Sequence, residues 1–177
     1  MSLRSSEQTV KGLGDKQVKK ISSQARGKGF EETFRQVLKG MVNTHPLAFV
    51  RLYDTRSAGA FLPEQPGDFL LTYDKVNFLV ECKSSKRYSS LSQGRQPLTS
   101  LFSDGQIASM YVWQRAGSRP LILFRPAEGE EVEFWRGEDV YEAYHTPRGK
   151  LQEKDILCRG PLDVKSLLTV FRTLCNN

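Results

Sequence analysis

The feature that most constrains this chain is a pair of strand-like runs, 68–73 and 76–83, separated only by Asp74 and Lys75. Two such runs this close together read as a β-hairpin with a two-residue turn. With Tyr73 opposite Val76 the cross-strand partners are fixed along the hairpin, and Asp68 falls opposite Glu81. Directly opposed side chains have Cβ atoms about 4.5–5.5 Å apart, where two carboxylates repel unless a cation lies between them. Glu81 and Lys83 are two residues apart and share one face of the strand, while Phe78, Val80 and Cys82 take the other. A slip of one residue would turn Asp68 to the opposite face, so the convergence depends on this register.

A third acid comes from the helix that precedes the hairpin. Phe30, Phe34, Val37 and Met41 recur at spacings of four, three and four, which makes one buried stripe. Glu31 lies at the edge of that stripe, whereas Glu32 aligns with Arg35, Gln36 and Lys39 on the solvent side. The other reading of Glu31 is a first-turn acid favoured by the helix dipole. Hard oxygen ligands of this kind suit Mg²⁺ or Mn²⁺, which keep several waters and bridge to phosphate oxygens. The chemistry implied is phosphodiester hydrolysis, with Lys83 positioning the attacking water or neutralising the phosphate.

The remaining chain frames this centre. A length of 177 residues, 38% of them hydrophobic, supports one core without disulfides or a structural metal. Three cysteines with no C-x-x-C pair and only two histidines, His45 and His145, exclude a structural zinc site. There is no P-loop, and Gly12-Leu13-Gly14 lacks the flanking strand and third glycine of a nucleotide fingerprint. No G-x-S-x-G elbow occurs either. No apolar run reaches the length of a membrane span and none follows the start as in a signal peptide, so a cytoplasmic or nucleoid-associated protein of a reducing compartment is expected.

Residues 1–24 read as a polar, basic, flexible arm, and 25–177 as one domain. After the first helix come a strand at 47–53, a loop at 54–66, the hairpin, and a serine-rich loop at 84–103. A helix at 104–115 follows, capped by Ser103 or Asp104, then strands at 120–125 and 132–136 and an amphipathic helix at 161–175. This order predicts an α/β fold: a mixed β-sheet flanked by helices. Trp113 and Trp135 read as core residues.

Charge is concentrated. Residues 1–30 carry seven Lys and Arg against two acids, and residues 83–119 carry six against one, in a chain of net charge +6. Clusters of this kind suggest a polyanion partner such as DNA, with a solvated surface as the alternative. Lys28, Arg51, Arg56, Lys86, Arg87 and Arg95 are the candidate DNA-binding residues. Thr55 and Ser57 read equally well as loop hydroxyls of a catalytic site or as turn formers.

At these residues the sequence resembles the PD-(D/E)XK nuclease superfamily, whose motif takes the form Pro66-Gly67-Asp68, twelve intervening residues, then Glu81-Cys82-Lys83. Within it the chain looks most like the RecU family of Holliday junction resolvases, on four blocks in the same order. These are Arg26-Gly27-Lys28-Gly29-Phe30-Glu31-Glu32, Gly67-Asp68-Phe69, Val80-Glu81-Cys82-Lys83 and Gln106-Ile107-Ala108-Ser109-Met110. The resemblance implies a restriction-endonuclease-like α-β-β-β-α-β core and a Mg²⁺ or Mn²⁺ ion held by Glu31, Asp68, Glu81 and the backbone carbonyl of Cys82. It implies catalytic roles for Glu31, Asp68, Glu81 and Lys83, a secondary one for Gln106, and a homodimer that cuts branched DNA by paired nicks. The rival readings are a restriction-like or repair endonuclease on linear or flapped duplex, and a non-catalytic DNA-binding module on the same fold.

Overall fold

The computed structural model describes residues 23–52, 65–127, 129–147 and 150–176. Residues 1–22 of the expected arm, Arg56, Thr55, Ser57 and most of the expected 54–66 loop lie outside the described residues. The described elements are helices α1 (Ser23–Val42), α2 (Arg95–Leu101), α3 (Asp104–Arg115), α4 (Gly137–His145) and α5 (Val164–Cys175). The strands are β1 (Leu47–Arg51), β2 (Phe69–Tyr73), β3 (Val76–Ser84), β4 (Arg119–Arg125), β5 (Val132–Arg136) and β6 (Ile156–Gly160). The six strands form one sheet in sequence order, in which β3 and β4 are parallel and every other neighbouring pair is antiparallel. The expected α-β-β-β-α-β order is present as α1, β1, β2, β3, α3 and β4.

Helices cover both faces of this mixed sheet, and strand alternation decides which residue meets which layer. Phe30, Phe34, Leu38 and Met41 of α1 and Leu167, Val170, Phe171 and Leu174 of α5 pack with Phe69, Leu71, Phe78, Val80, Leu121 and Phe134. On the other face, Leu98, Ile107, Met110 and Val140 from α2, α3 and α4 pack with Ile122, Phe124 and Trp135. Trp135 is fully buried, as expected, whereas Trp113 is half-buried.

The hairpin has the register that its length dictates, from Tyr73↔Val76 to Phe69↔Val80. Asp74 and Lys75 both take positive φ, 47° and 68°, the left-handed pair that a two-residue turn needs to match strand twist. Aspartate tolerates this through its short polar side chain; Lys75 accepts it at a cost.

Three parts differ from the sequence reading. The 84–103 stretch, read as loop, contains a 3₁₀ turn at Leu91–Gln93 and the helix α2. Pro97 sits in the first turn of α2, where its missing N–H has no helical acceptor to lose, so it does not break the helix. Between Arg136 and Pro161, where no element was expected, the chain builds α4 and the edge strand β6. Finally, α1 begins near Ser23, well before the first apolar residue of its stripe.

Candidate active site

Asp68 stands where β2 begins and is fixed from both sides. Its N–H donates to Val80 O at 2.9 Å and its carbonyl accepts from Leu52 N at 2.8 Å. The preceding residue must be glycine, because a Cβ on Gly67 would stand 2.9 Å from Val80 O and 3.0 Å from Leu79 Cδ1. The Asp68 carboxylate then turns back over β3, where Oδ2 accepts from the backbone N–H of Cys82 at 2.7 Å.

Glu81 lies on the face of β3 opposite to Val80 and Cys82, and only 3% of it is exposed. Lys83 shares that face, with Nζ 2.6 Å from Glu81 Oε1. Gln106 reaches in from the first turn of α3. Its Nε2 donates to Glu81 Oε1 at 2.7 Å, and its Oε1 accepts from Lys83 Nζ at 3.1 Å. Gln106 is held in place because it also closes a capping box. Ser103 Oγ accepts from Gln106 N, and Gln106 Oε1 accepts from Ser103 N. Phe102, just before the cap, is buried in the same apolar cluster as Ile107, and its ring centroid is 5.2 Å from Lys83 Nζ. The fold therefore gathers Asp68, Glu81, Lys83 and Gln106 at one end of the sheet.

The electrostatics are strained in a directed way. Burial, and then the charge on Glu81, raise the Asp68 carboxyl to about 8. Burial also raises the Glu81 carboxyl, against the pull of the Lys83 ammonium. Both carboxylates are thus disfavoured as anions while only one lysine faces them. Glu81 Oε1 has two donors, yet Glu81 Oε2 is buried with no hydrogen-bond partner. A buried carboxylate oxygen without a donor is costly unless a cation satisfies it.

Glu31 sits at the rim. Its charge raises both Asp68 and Glu81, but its own carboxylate is engaged by the Arg51 guanidinium. Glu32 faces away and binds Arg35 and Gln36, as its spacing implied. Among the described residues, no group of three or more His, Cys, Asp or Glu stands close enough to hold a metal ion by itself. Asp68 and Glu81 make a pair of oxygen donors, and a pair suits Mg²⁺, which takes one or two carboxylates and fills its remaining positions with water and phosphate oxygens.

The basic candidates are spread around this end. Lys28 is exposed on α1, Lys86 and Arg87 are exposed just beyond β3, and Arg95 is exposed at the start of α2. Arg51 ends β1 and, besides Glu31, lies 6.0 Å from the Phe69 ring centroid. The sequence reading missed Phe102 and the fully buried Glu133 of β5. Glu133 Oε2 accepts from Ser90 Oγ, Leu91 N and Trp135 Nε1, and its Oε1 accepts from Arg159 at 2.7 Å. The signal for Glu133 was its place two residues before Trp135, on the buried face of a strand with no polar alternation.

No protein-family model matches this chain, and no curated protein matches it. Among solved structures, the chain is similar to Hjc of Archaeoglobus fulgidus, a Holliday junction resolvase from an archaeal hyperthermophile. The identity is 16% and the TM-score 0.44, covering 72% of this chain and 89% of that one.

Proposed function

We propose that this chain is a divalent-metal-dependent DNA endonuclease centred on Asp68, Glu81 and Lys83, acting on branched DNA as a homodimer. The observation that carries the reading is Glu81: a buried carboxylate beside Asp68 with one oxygen saturated and the other, Oε2, left without a donor. Mg²⁺ or Mn²⁺ would be held by Asp68 and Glu81, with the Cys82 carbonyl as a further oxygen donor, while Glu31, engaged by Arg51, would act on the ion through its charge. Bound there, such an ion supplies charge compensation for the phosphate and a lowered pKa for a water.

The chain's own residues do the rest. Asp68 is fixed through Cys82 N–H, so its free oxygen has one direction in which to accept. Lys83 brings an ammonium to the same place and is oriented by Glu81 and Gln106. In that position it donates to the attacking water or to a non-bridging phosphate oxygen as negative charge grows. Gln106 is a positioning residue, since it touches Glu81 and Lys83 together and is itself locked by the Ser103 cap. Lys28, Arg51, Arg56, Lys86, Arg87 and Arg95 would track the DNA backbone, which fixes register on the duplex without reading sequence. The preference for branched DNA and the paired cut rest on the four sequence blocks that resemble RecU-type resolvases.

The test is cleavage of a synthetic four-way junction and a matched linear duplex by wild type and Lys83→Ala, with Mg²⁺ and with EDTA. Paired symmetric nicks in the junction alone, lost with EDTA and with the variant, are expected. Equal cutting of both substrates would keep the nuclease and discard the junction preference. No cutting of either would discard the enzyme.

A further inference from the structure

On the side of the sheet away from Lys83, two arginines have no partner for part of their charge. Arg125 ends β4. Its register partner is Ser84, one residue past Lys83, so Arg125 and Lys83 lie at the same end of two parallel neighbours. Strand alternation sends Arg125 to the face of Leu121 and Leu123, under α1, and its guanidinium carbon stands 4.4 Å from the Phe30 ring centroid. Arg26 lies one helical turn before Phe30 on the same face of α1. Both residues are half-buried, and the Nε of each is buried with no hydrogen-bond partner. Among the described residues neither side chain makes a salt bridge. Burial lowers the pKa of Arg125, and this outweighs the opposing electrostatic pull of Cys82 and Glu130.

One guanidinium stacked on Phe30 and a second arginine one helical turn before that ring, each partly desolvated, with a buried unpaired Nε and no salt bridge, are unfavourable in the isolated protein. The same arrangement is favourable once a multivalent anion bridges them, because the Arg fork is built to bind phosphate oxygens. The α1 turn between them adds a second observation. Gly27 and Gly29 lie inside a helix, where each is roughly 1 kcal/mol worse than alanine. A Cβ at either position would meet nothing within 4 Å, so no packing among the described residues calls for glycine there. A bare helix surface beside two unpaired arginines lets a ligand backbone come close.

We infer that Arg26 and Arg125 form a phosphate-binding clamp for a nucleic-acid backbone, on the face of the sheet opposite to Lys83. It rests on the nuclease reading only for the identity of the polyanion. A strand whose reacting phosphate faces Lys83 would run over the ends of β3 and β4, and the clamp would hold a neighbouring phosphate.

The experiment is fluorescence anisotropy of a labelled four-way junction and a labelled duplex in EDTA, where nothing is cut, across a salt series. The full chain is compared with Arg26→Gln, Arg125→Gln, the double variant and Arg125→Lys. Arg172→Gln serves as a charge-matched control: Arg172 lies in the last turn of α5, whose Cys175 Sγ is 4.0 Å from Tyr73 O at the other end of the sheet. Each Gln variant should lower the salt slope by about one and the double variant by about two, with affinity about tenfold weaker in the double variant. Arg125→Lys should keep most of the slope, and Arg172→Gln all of it. If Arg125→Gln does not fold, Arg26→Gln alone decides. Wild-type binding with an unchanged slope in the variants would overturn the clamp and leave the cleavage reading standing. A reduced slope in the variants of a protein that cuts nothing would keep the clamp and overturn hydrolysis. A wild type that binds no DNA would overturn both.

Discussion

Glu81 and Glu133 are two buried glutamates on the same face of one sheet, and the fold treats them in opposite ways. Glu133 is closed. Ser90, Leu91, Trp135 and Arg159 all donate to it, so its two oxygens tie the turn at Leu91–Gln93 and the edge strand β6 to β5. Glu81 is open. Lys83 and Gln106 share one of its oxygens, and the other is buried with no donor. Folding alone favours saturation, because a buried polar atom left unpaired costs about 1–3 kcal/mol. A carboxylate kept open at that cost marks a place where something outside the chain supplies the missing charge.

The largest expected effect separates the two glutamates. Glu81→Gln and Lys83→Ala should each lower the rate of DNA cleavage by about a thousandfold or more while the thermal midpoint stays within a few degrees of wild type. Equal loss of stability in Glu81→Gln would break the contrast. Glu133→Ala should do the reverse. It strands three buried donors and one guanidinium, costs roughly 3–5 kcal/mol, and lowers Tm by about 6–20 °C in calorimetry.

How much of this was legible beforehand follows from sequence distance. The hairpin places Asp68 and Glu81 through a two-residue turn and strict alternation, so both the register and the shared face of Glu81 and Lys83 could be read directly. The inward side of Glu31 was readable from helical spacing, but its Arg51 partner, twenty residues away, was not. The donors to Glu133 come from 26, 42 and 43 residues away, as well as from Trp135 nearby, and no local pattern announces that meeting. Helix α2 was hidden for another reason: Pro97 reads as a breaker unless the helix start is known.

A smaller effect sharpens the comparison. Gln106→Ala leaves both carboxylates in place but frees Lys83 and Glu81 to move, so cleavage should fall about 10- to 100-fold. Gln106→Glu should not rescue it, because a third carboxylate would replace the amide donor to Glu81 Oε1.

The smallest effect is a pH dependence of stability without metal. The folded-state pKa of Asp68 is raised from 3.8 to about 8. Between those values the folded protein binds a proton that the unfolded chain releases, so this group's contribution is present at low pH and lost as pH rises through the window. Tm in EDTA should therefore decline from about pH 5 to about pH 8 by more in wild type than in Asp68→Asn. Mg²⁺ competes with that proton, so its stabilising effect should grow over the same range. Equal Mg²⁺ shifts at both ends would contradict this.

The measurement that tests the central claim most directly is titration calorimetry of Mn²⁺ into wild type, Glu81→Gln and Glu133→Gln at neutral pH, without DNA. Heat of binding in wild type and Glu133→Gln, and none in Glu81→Gln, is the result this account predicts. Undiminished Mn²⁺ binding by Glu81→Gln would contradict it, and would leave the open oxygen of Glu81 without the cation that its burial implies.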